Sequence, residues 1–114
     1  MQRNMELVRT ILLAVERDED CSEFEGFQNI EVRYHVAIMA QAGLVEAIDV
    51  TTMDDAHPQA IVKGLTWFGH EFIDASRNQS IWEQGKAIVE KAGGGAFSVW
   101  LSVLTDLVKK SVGV

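Results

Sequence analysis

The sequence has one cysteine and one proline in 114 residues, and it has no long hydrophobic run. The single cysteine, Cys21, has no partner for an internal disulfide, which suggests a reducing compartment. No stretch approaches the roughly 18 uninterrupted apolar residues of a membrane span. The N-terminus lacks a basic region followed by an apolar run, so no signal peptide is expected. These absences predict a cytoplasmic protein without a membrane segment.

Basic residues are scarce in the first half of the chain. Residues 1–25 hold seven acids and three bases, and residues 26–64 hold five acids and two bases. Residues 65–114 hold five of each, so the whole net charge of −7 lies in the first 64 residues. An acidic field repels phosphate and attracts basic partners.

The length and composition predict one folded domain. Hydrophobic residues make up 47% of the chain, which is enough for a core and excludes a disordered composition. Residues 1–66 are interpreted as a winged-helix-like core. Residues 67–114 are interpreted as a helical C-terminal extension packed on it. The predicted fold class is therefore α+β, mostly α.

The stretch from Asn29 to Thr66 organises this prediction, and its first part has helical spacing. Apolar residues at Val32, Val36 and Met39 form one stripe, with His35 beside them. Asn29 is predicted to be the N-cap, because its side chain can accept an unpaired backbone N–H. Gly43 is predicted to end the helix near Ala42, since glycine adopts the left-handed conformation without steric cost.

The second part of the stretch is predicted to be a two-stranded wing. One strand begins at Leu44 and runs to Val50, and the return strand is Ala60 to Leu65, because β-branched residues alternate in both. Residues 53–59 are predicted to be a turn or loop. Polar residues and the only proline give this loop its character: Asp54, Asp55, His57 and Pro58.

Four further helices are predicted from apolar spacing and capping residues. Segment 21–28 is expected to be a loop with a short strand or one helical turn, because it is too short for a further helix. The predicted helices, with their capping residues, are Met5–Arg17 after Asn4, Trp67–Ser76 after Thr66, Ile81–Lys91 with a Ser80/Glu83 capping box, and Ala96–Lys110.

Several segments in this order resemble one family. The most specific motif is L-T-W-x-G-H-x-F-I-D at Leu65–Asp74, and Y-H followed by A-G-L-V at Tyr34–Val45 is more general. Further matching segments are MQRNMELVRTILLAVE at the start and FSVWLSVLTDLVKK near the end. The chain thus resembles the DUF2513 family of small bacterial and prophage proteins of unknown function. This resemblance implies a winged-helix-like fold and a phage or mobile-element context, and it implies no catalytic residues.

No catalytic, cofactor or metal site is predicted. His70 and Asp74 can touch on a helix, but such pairs are usually structural. Cys21, His35, His57 and His70 lie too far apart in sequence for a zinc signature. Gly93–Gly95 lacks the G-K-[ST] of a phosphate loop and is interpreted as a helix–helix link. The protein is therefore predicted not to be an enzyme.

Two binding functions remain, and both use the outward face of the central helix and the wing tip. Winged helices commonly lay this helix in a DNA major groove, where Arg33 and Gln41 could contact base edges. Ala37 and Ile38 stand on this face where regulators often carry Lys or Arg. The candidate partner-binding residues are Glu31, Arg33, Tyr34, Ile38, Gln41, Asp54 and Asp55.

The charge favours a protein partner over DNA. The helix and wing offer only Arg33 and Lys63 against five acids, and DNA affinity is largely neutralisation of phosphate by Lys and Arg. An acidic interaction module fits a basic protein, such as a nucleic-acid-binding host protein that it would inhibit. A DNA-binding regulator is the alternative. The apolar face of the last helix can close the core or join two chains, so a monomer and a C2 homodimer are both open.

Overall fold

The computed structural model describes residues 1–56 and 59–112, so the predicted loop residues His57 and Pro58 lie outside the described residues. The described residues form five helices and one two-stranded antiparallel sheet, which confirms the predicted α+β, mostly α class. None of their helices has the length and apolar character needed to cross a membrane. In chain order the elements are α1 (Met5–Glu16), α2 (Asn29–Gln41), β1 (Val45–Asp49), β2 (Ala60–Leu65), α3 (Trp67–Ser76), α4 (Gln79–Lys91) and α5 (Phe97–Ser111).

The chain divides into two compact units, Met1–His70 and Glu71–Val114. The first unit contains α1, α2, the β1–β2 hairpin and the first turn of α3. Its core is built from the apolar stripe of each helix together with the start of β1, as periodicity predicts. The buried side chains include Leu7, Val8, Ile11, Leu12, Val15, Val32, His35, Val36, Met39, Leu44 and Val45.

Helix α1 begins as the sequence predicts and is tied to α2 by a histidine. Asn4 Oδ1 accepts the backbone N–H groups of Glu6 and Leu7 at 3.0 and 3.4 Å. The Asn4 backbone N–H in turn donates to His35 Nε2 at 2.8 Å. His35 is fully buried, and its Nδ1 lies 2.8 Å from the Glu31 carbonyl oxygen. Its complete burial and these two contacts confirm His35 as a core residue.

Segment 21–28, between α1 and α2, was expected to be a loop with either a short strand or one helical turn. The structure has a loop there, without either element. Asp18 adopts a left-handed φ of 55° just after α1. Within residues 21–28, the Phe27 backbone N–H donates to the Phe24 carbonyl oxygen at 3.2 Å, which closes a turn. Helix α2 is capped at Gln28 and not at Asn29, because the Glu31 carboxylate accepts the Gln28 backbone N–H at 3.2 Å. The cap prediction was therefore wrong by one residue.

Strands β1 and β2 pair antiparallel, with Ile48 opposite Ile61. The register shifts between Glu46 and Ala47, where Lys63 is an extra residue in β2. The Val50 backbone N–H donates to the Gln59 carbonyl oxygen at 2.9 Å, so that pair is hydrogen-bonded. Bonded and non-bonded pairs alternate in an antiparallel ladder. The two β2 residues that occupy non-bonded positions therefore direct their N–H and C=O groups away from β1. These residues are Ala60 and Val62.

Helix α3 starts against the beginning of the hairpin. Thr66 Oγ1 accepts the Gly69 backbone N–H at 3.0 Å, which confirms Thr66 as the cap. The Thr66 backbone N–H donates to the Leu44 carbonyl oxygen at 3.2 Å, and its hydroxyl donates to the Gly43 carbonyl oxygen at 2.5 Å. A Cβ atom added to Gly69 would clash with the Leu44 carbonyl oxygen. The glycine therefore allows the first turn of α3 to approach the backbone of residue 44.

The second unit is built on aromatic contacts between helices. The Trp82 and Trp100 rings stack with centroids 4.9 Å apart at 24°, and Phe72 contacts Trp82 edge-on at 6.3 Å. Gly85 faces Leu104, where an added Cβ would lie 2.7 Å from a Leu104 methyl group. Helix α4 is capped by Asn78, whose Oδ1 accepts the Ile81 backbone N–H at 3.1 Å. The predicted Ser80 cap was wrong by two residues.

Candidate interaction surface of the helix and hairpin

Helix α2 presents only part of the face that the sequence predicts. Ala37 is buried, so its placement on the outward face was wrong. Tyr34 and Ile38 are half-buried, and Gln41 is exposed near the end of the helix. Glu31 is half-buried and has a structural role, because its carboxylate caps the helix at Gln28.

The structure joins two of the predicted candidates, Arg33 and Asp55. The Arg33 guanidinium lies 3.8 Å from Asp55 Oδ1, with side chains 36% and 22% exposed. Asp55 Oδ2 also accepts the backbone N–H of Thr52 at 2.9 Å and its hydroxyl at 3.2 Å. The backbone hydrogen bond from Thr52 is the largest cause of a lowered Asp55 pKa, and the Arg33 charge lowers it further. The loop between β1 and β2 is thus held to α2 by opposite charges.

The outer face of the hairpin is apolar. Ile48 and Ile61 are direct cross-strand partners, and they are 50% and 58% exposed. Met53 at the tip is fully exposed, next to the exposed Asp54. This face therefore offers neighbouring apolar side chains and a carboxylate, and the only base in β1 or β2 is Lys63.

A groove runs along the outer edge of β2. It consists of two adjoining cavities of about 490 and 310 Å³, which share the residues around Cys21 and Ala60. Segment 18–23 forms one wall, and segment 59–63 forms the other. The floor is apolar and includes Val15, Val32 and Val36. We call this feature the acidic groove.

The wall at segment 18–23 carries the charge that gives the groove its name. Its four acids are Asp18, Glu19, Asp20 and Glu23. Asp20 has a lowered pKa, because its carboxylate accepts hydrogen bonds from the Ser22 hydroxyl and backbone N–H at 2.8 and 2.9 Å. The pKa of the Cys21 thiol is raised, mainly by burial and further by the charges of Asp20 and Glu19. Such a thiol is a poor nucleophile at neutral pH.

The other residues considered for chemistry are not assembled into a site. Both ring nitrogens of His35 have partners inside the core. His70 is exposed, and the Asp74 carboxylate accepts a hydrogen bond from Arg77 at 2.9 Å. Across residues 1–56 and 59–112, no group of three or more His, Cys, Asp or Glu side chains is arranged to hold a metal ion.

Sequence reasoning missed the acidic groove and the apolar pair on the hairpin. The three adjacent acids Asp18, Glu19 and Asp20 beside a loop are the one visible sequence signal for the groove. The cavity itself has no sequence signal, because its two walls come from segments about forty residues apart. The Ile48–Ile61 pair depends on the register of the hairpin, and alternation alone does not determine that register.

The chain belongs to the family described as Hypothetical protein (DUF2513), whose model matches residues 2–95. An uncharacterized protein from Haemophilus influenzae is 35% identical over 96 residues, which covers 79% of this chain and 80% of the relative. No solved structure matches the chain. The family match contains both walls of the acidic groove and the whole hairpin. It ends before α5, so the segment FSVWLSVLTDLVKK, part of the predicted resemblance, lies outside the matched residues.

Proposed function

We propose that the protein is a non-enzymatic interaction module that binds a basic protein partner in the cytoplasm. The unit Met1–His70 is the binding unit. In this proposal the partner is a protein whose basic surface serves nucleic acid, and binding blocks that surface. A mobile-element setting would suit such an inhibitor.

The observation that carries the proposal is the ion pair between Arg33 and Asp55. Arg33 is the only Lys or Arg in α2, and its guanidinium faces a carboxylate at 3.8 Å. A helix that binds in a DNA groove needs cations directed at phosphates and base edges. Here the single cation of the helix is directed at the protein's own hairpin loop, which leaves the surrounding acids to dominate the surface.

The apolar face of the hairpin supports a protein partner independently of charge. Ile48 and Ile61 lie side by side and are each at least half exposed. The buried centre of a protein–protein interface is enriched in apolar side chains and depleted of charge. A DNA backbone would leave the same two side chains against phosphate and water.

The alternative is a DNA-binding regulator that contacts DNA through α2 and the hairpin. The order of α2, β1 and β2 favours it, as does the exposed Gln41, because glutamine can pair with adenine. In that case Arg33 would have to exchange Asp55 for DNA, and the acids around it would oppose the exchange.

Fluorescence anisotropy with a labelled random DNA duplex, at low and then at moderate salt, distinguishes the two functions. We expect no binding at either salt concentration. The double substitution Asp54→Lys and Asp55→Lys should increase DNA binding and weaken capture of a basic partner from host lysate. A matched control, Glu90→Lys with Asp106→Lys, makes the same change in net charge on exposed helical residues of the second unit.

Either of two outcomes would contradict the proposal. One is salt-sensitive DNA binding by the unaltered protein, because this requires a cationic surface. The other is partner capture that is equally affected by the hairpin substitutions and the control substitutions, because net charge alone would then explain it.

A further inference from the structure

We propose that the acidic groove binds an extended, lysine- or arginine-rich segment of the partner, which adds as a strand to the outer edge of β2. This inference rests on the proposed function and specifies which surface of the unit receives the partner and in which conformation. It adds a second contact besides the hairpin tip, at a site formed by segment 18–23 and β2.

The first argument is the unpaired edge of β2. Within the described residues, β2 is hydrogen-bonded to β1 alone. Ala60 and Val62 direct their N–H and C=O groups away from β1, as the alternation of the ladder requires. Both residues line the groove. A row of such groups is a template for another strand, and peptide recognition by strand addition uses it.

The second argument is the opposite wall. Among the described residues, no backbone hydrogen bond joins segment 18–23 to segment 59–63, although both segments line the same cavity. The space between them is about 490 Å³. The β2 edge in the groove, Gln59–Lys63, contains five residues, so it extends roughly 15 Å at about 3.3 Å per residue. The groove therefore has the length of a short strand, and residues 1–56 and 59–112 do not fill it.

The third argument is charge complementarity, which identifies the occupant. Four acids lie on the wall formed by segment 18–23, and among the described residues that line the cavities the bases are Lys63 and Arg33. Arg33 is paired with Asp55. Alternate side chains of an added strand point to opposite faces. A strand that alternates basic and apolar residues would therefore place its apolar set on the floor at Val15 and Val36. Its basic set would lie at the open side of the groove, where long side chains can reach the acids of the wall.

The probe is a fluorescein-labelled nine-residue peptide that alternates lysine and valine. We expect the intact protein to bind it, with an affinity that falls as salt rises. Methylation of the backbone nitrogens of its five central residues keeps the charge and removes the donors. This should weaken binding at least tenfold, because several hydrogen bonds are lost together.

Two protein variants test the two walls. Ala60→Pro removes the outward N–H at the first residue of β2, a position where proline is tolerated, and it should weaken binding about three- to tenfold. Glu19→Lys with Glu23→Lys should weaken it more than tenfold at low salt. The charge-matched control Glu90→Lys with Asp106→Lys should change it less than about twofold.

Cys21 gives a readout inside the groove that does not depend on the label. It lines both cavities and is the only cysteine. The bound peptide should slow its alkylation by N-ethylmaleimide, and the methylated peptide should not. Unchanged alkylation at saturating peptide would overturn the assignment to the groove.

The remaining outcomes separate this inference from the proposed function. Equal binding of the methylated peptide would exclude strand addition. If Asp54→Lys with Asp55→Lys abolishes peptide binding while Glu19→Lys with Glu23→Lys does not, the hairpin tip is the site and only the groove inference fails. A dimer that dissociates on Ala60→Pro would show a second copy on the edge, which also overturns it. Tight DNA binding without peptide binding would overturn both proposals.

Discussion

At the residue scale, the contact of Arg33 with Asp55 changes the role that the sequence suggests for Arg33. An arginine on an outward helix face suggests contact with guanine. In the folded chain its guanidinium lies against Asp55, and Asp55 also holds the backbone and hydroxyl of Thr52. The pair fixes the hairpin loop to α2. It also lowers the positive potential at the point where nucleic acid would approach.

Asp55→Asn should loosen the hairpin loop and remove part of the acid sensitivity of the protein. The folded-state pKa of Asp55 lies below its ordinary value of 3.8. Its charged interactions therefore stabilise the fold above about pH 3.8, and this contribution is lost as the pH falls through the folded-state pKa. Amide hydrogen exchange of residues 51–55, measured at neutral and at acid pH, should show faster exchange in the variant only at neutral pH.

Asp54→Asn is the matched control, because Asp54 is the exposed neighbour on the same loop. It should leave the exchange rates close to those of the unaltered protein. Equal effects of the two substitutions would mean that the Arg33–Asp55 contact does not hold the loop. Asp20 and Asp49 also have lowered pKa values, so they contribute to the acid sensitivity of both variants. The quantity to compare is therefore the difference in exchange rate between Asp55→Asn and Asp54→Asn.

At the scale of elements, the contact between Leu44 and the start of α3 fixes where the hairpin ends. Thr66 bonds to the carbonyl oxygen of Leu44 and to the N–H of Gly69. The Gly69 backbone approaches too closely for any Cβ. One threonine and one glycine thus hold the first turn of α3 against Leu44, the residue before β1.

Gly69→Ala should destabilise the protein by about 1–3 kcal/mol, because a methyl group in a filled space forces the backbone apart. This loss should exceed the gain of up to about 1 kcal/mol in helix propensity. Gly64→Ala is the control, since no atom lies within 4 Å of its added Cβ. Urea unfolding gives both free energies. An alanine at 69 as stable as an alanine at 64 would refute the close contact.

Leu104→Asp tests whether α5 closes the core of the second unit. Leu104 is fully buried and faces Gly85, so an aspartate there should cost more than about 4 kcal/mol and unfold the unit. Ser102→Asp, on the exposed side of α5, should be nearly neutral. Near-ultraviolet circular dichroism and sedimentation measure the result. A Leu104→Asp variant that stays folded and changes from dimer to monomer would instead support α5 as a chain-pairing helix.

The helices could be predicted from the sequence because their apolar residues repeat at helical period. The predicted bounds of β2, Ala60 and Leu65, agree with the structure. Helix caps were harder. Asn78 and Ser80 are both good capping residues, and only the backbone decides which one accepts the Ile81 N–H. The contacts of the candidate surface were beyond prediction, because Arg33–Asp55 and the acidic groove join segments that are distant in sequence.

At the scale of the whole molecule, the net charge is distributed unequally between the two compact units. Met1–His70 contains the entire net charge of −7, and Glu71–Val114 has equal numbers of acids and bases. Like charges in one compact unit repel one another and destabilise it. The same field would attract the basic partner of the proposed function, which would link binding and stability through one surface.

Added salt should therefore stabilise the protein. Raising ionic strength from about 0.01 to 0.15 M shortens the screening distance from about 30 to 8 Å. We expect the free energy of unfolding in urea, measured by circular dichroism, to rise by roughly 0.5 kcal/mol. Glu19→Lys with Glu23→Lys should show a smaller rise, because it brings the net charge closer to zero. A fall in stability with salt would mean that favourable ion pairs outweigh the repulsion.

The three tryptophans give the two units different optical signals. Trp67 belongs to the first unit and is 82% exposed, so its emission should lie to the red, as in water. Trp82 and Trp100 are buried and stacked in the second unit, and they should emit to the blue. Trp67 also directly follows β2 and Thr66. A partner that covers Trp67 should therefore move the red component alone, and the fluorescence of the chain itself would then detect binding without an added dye.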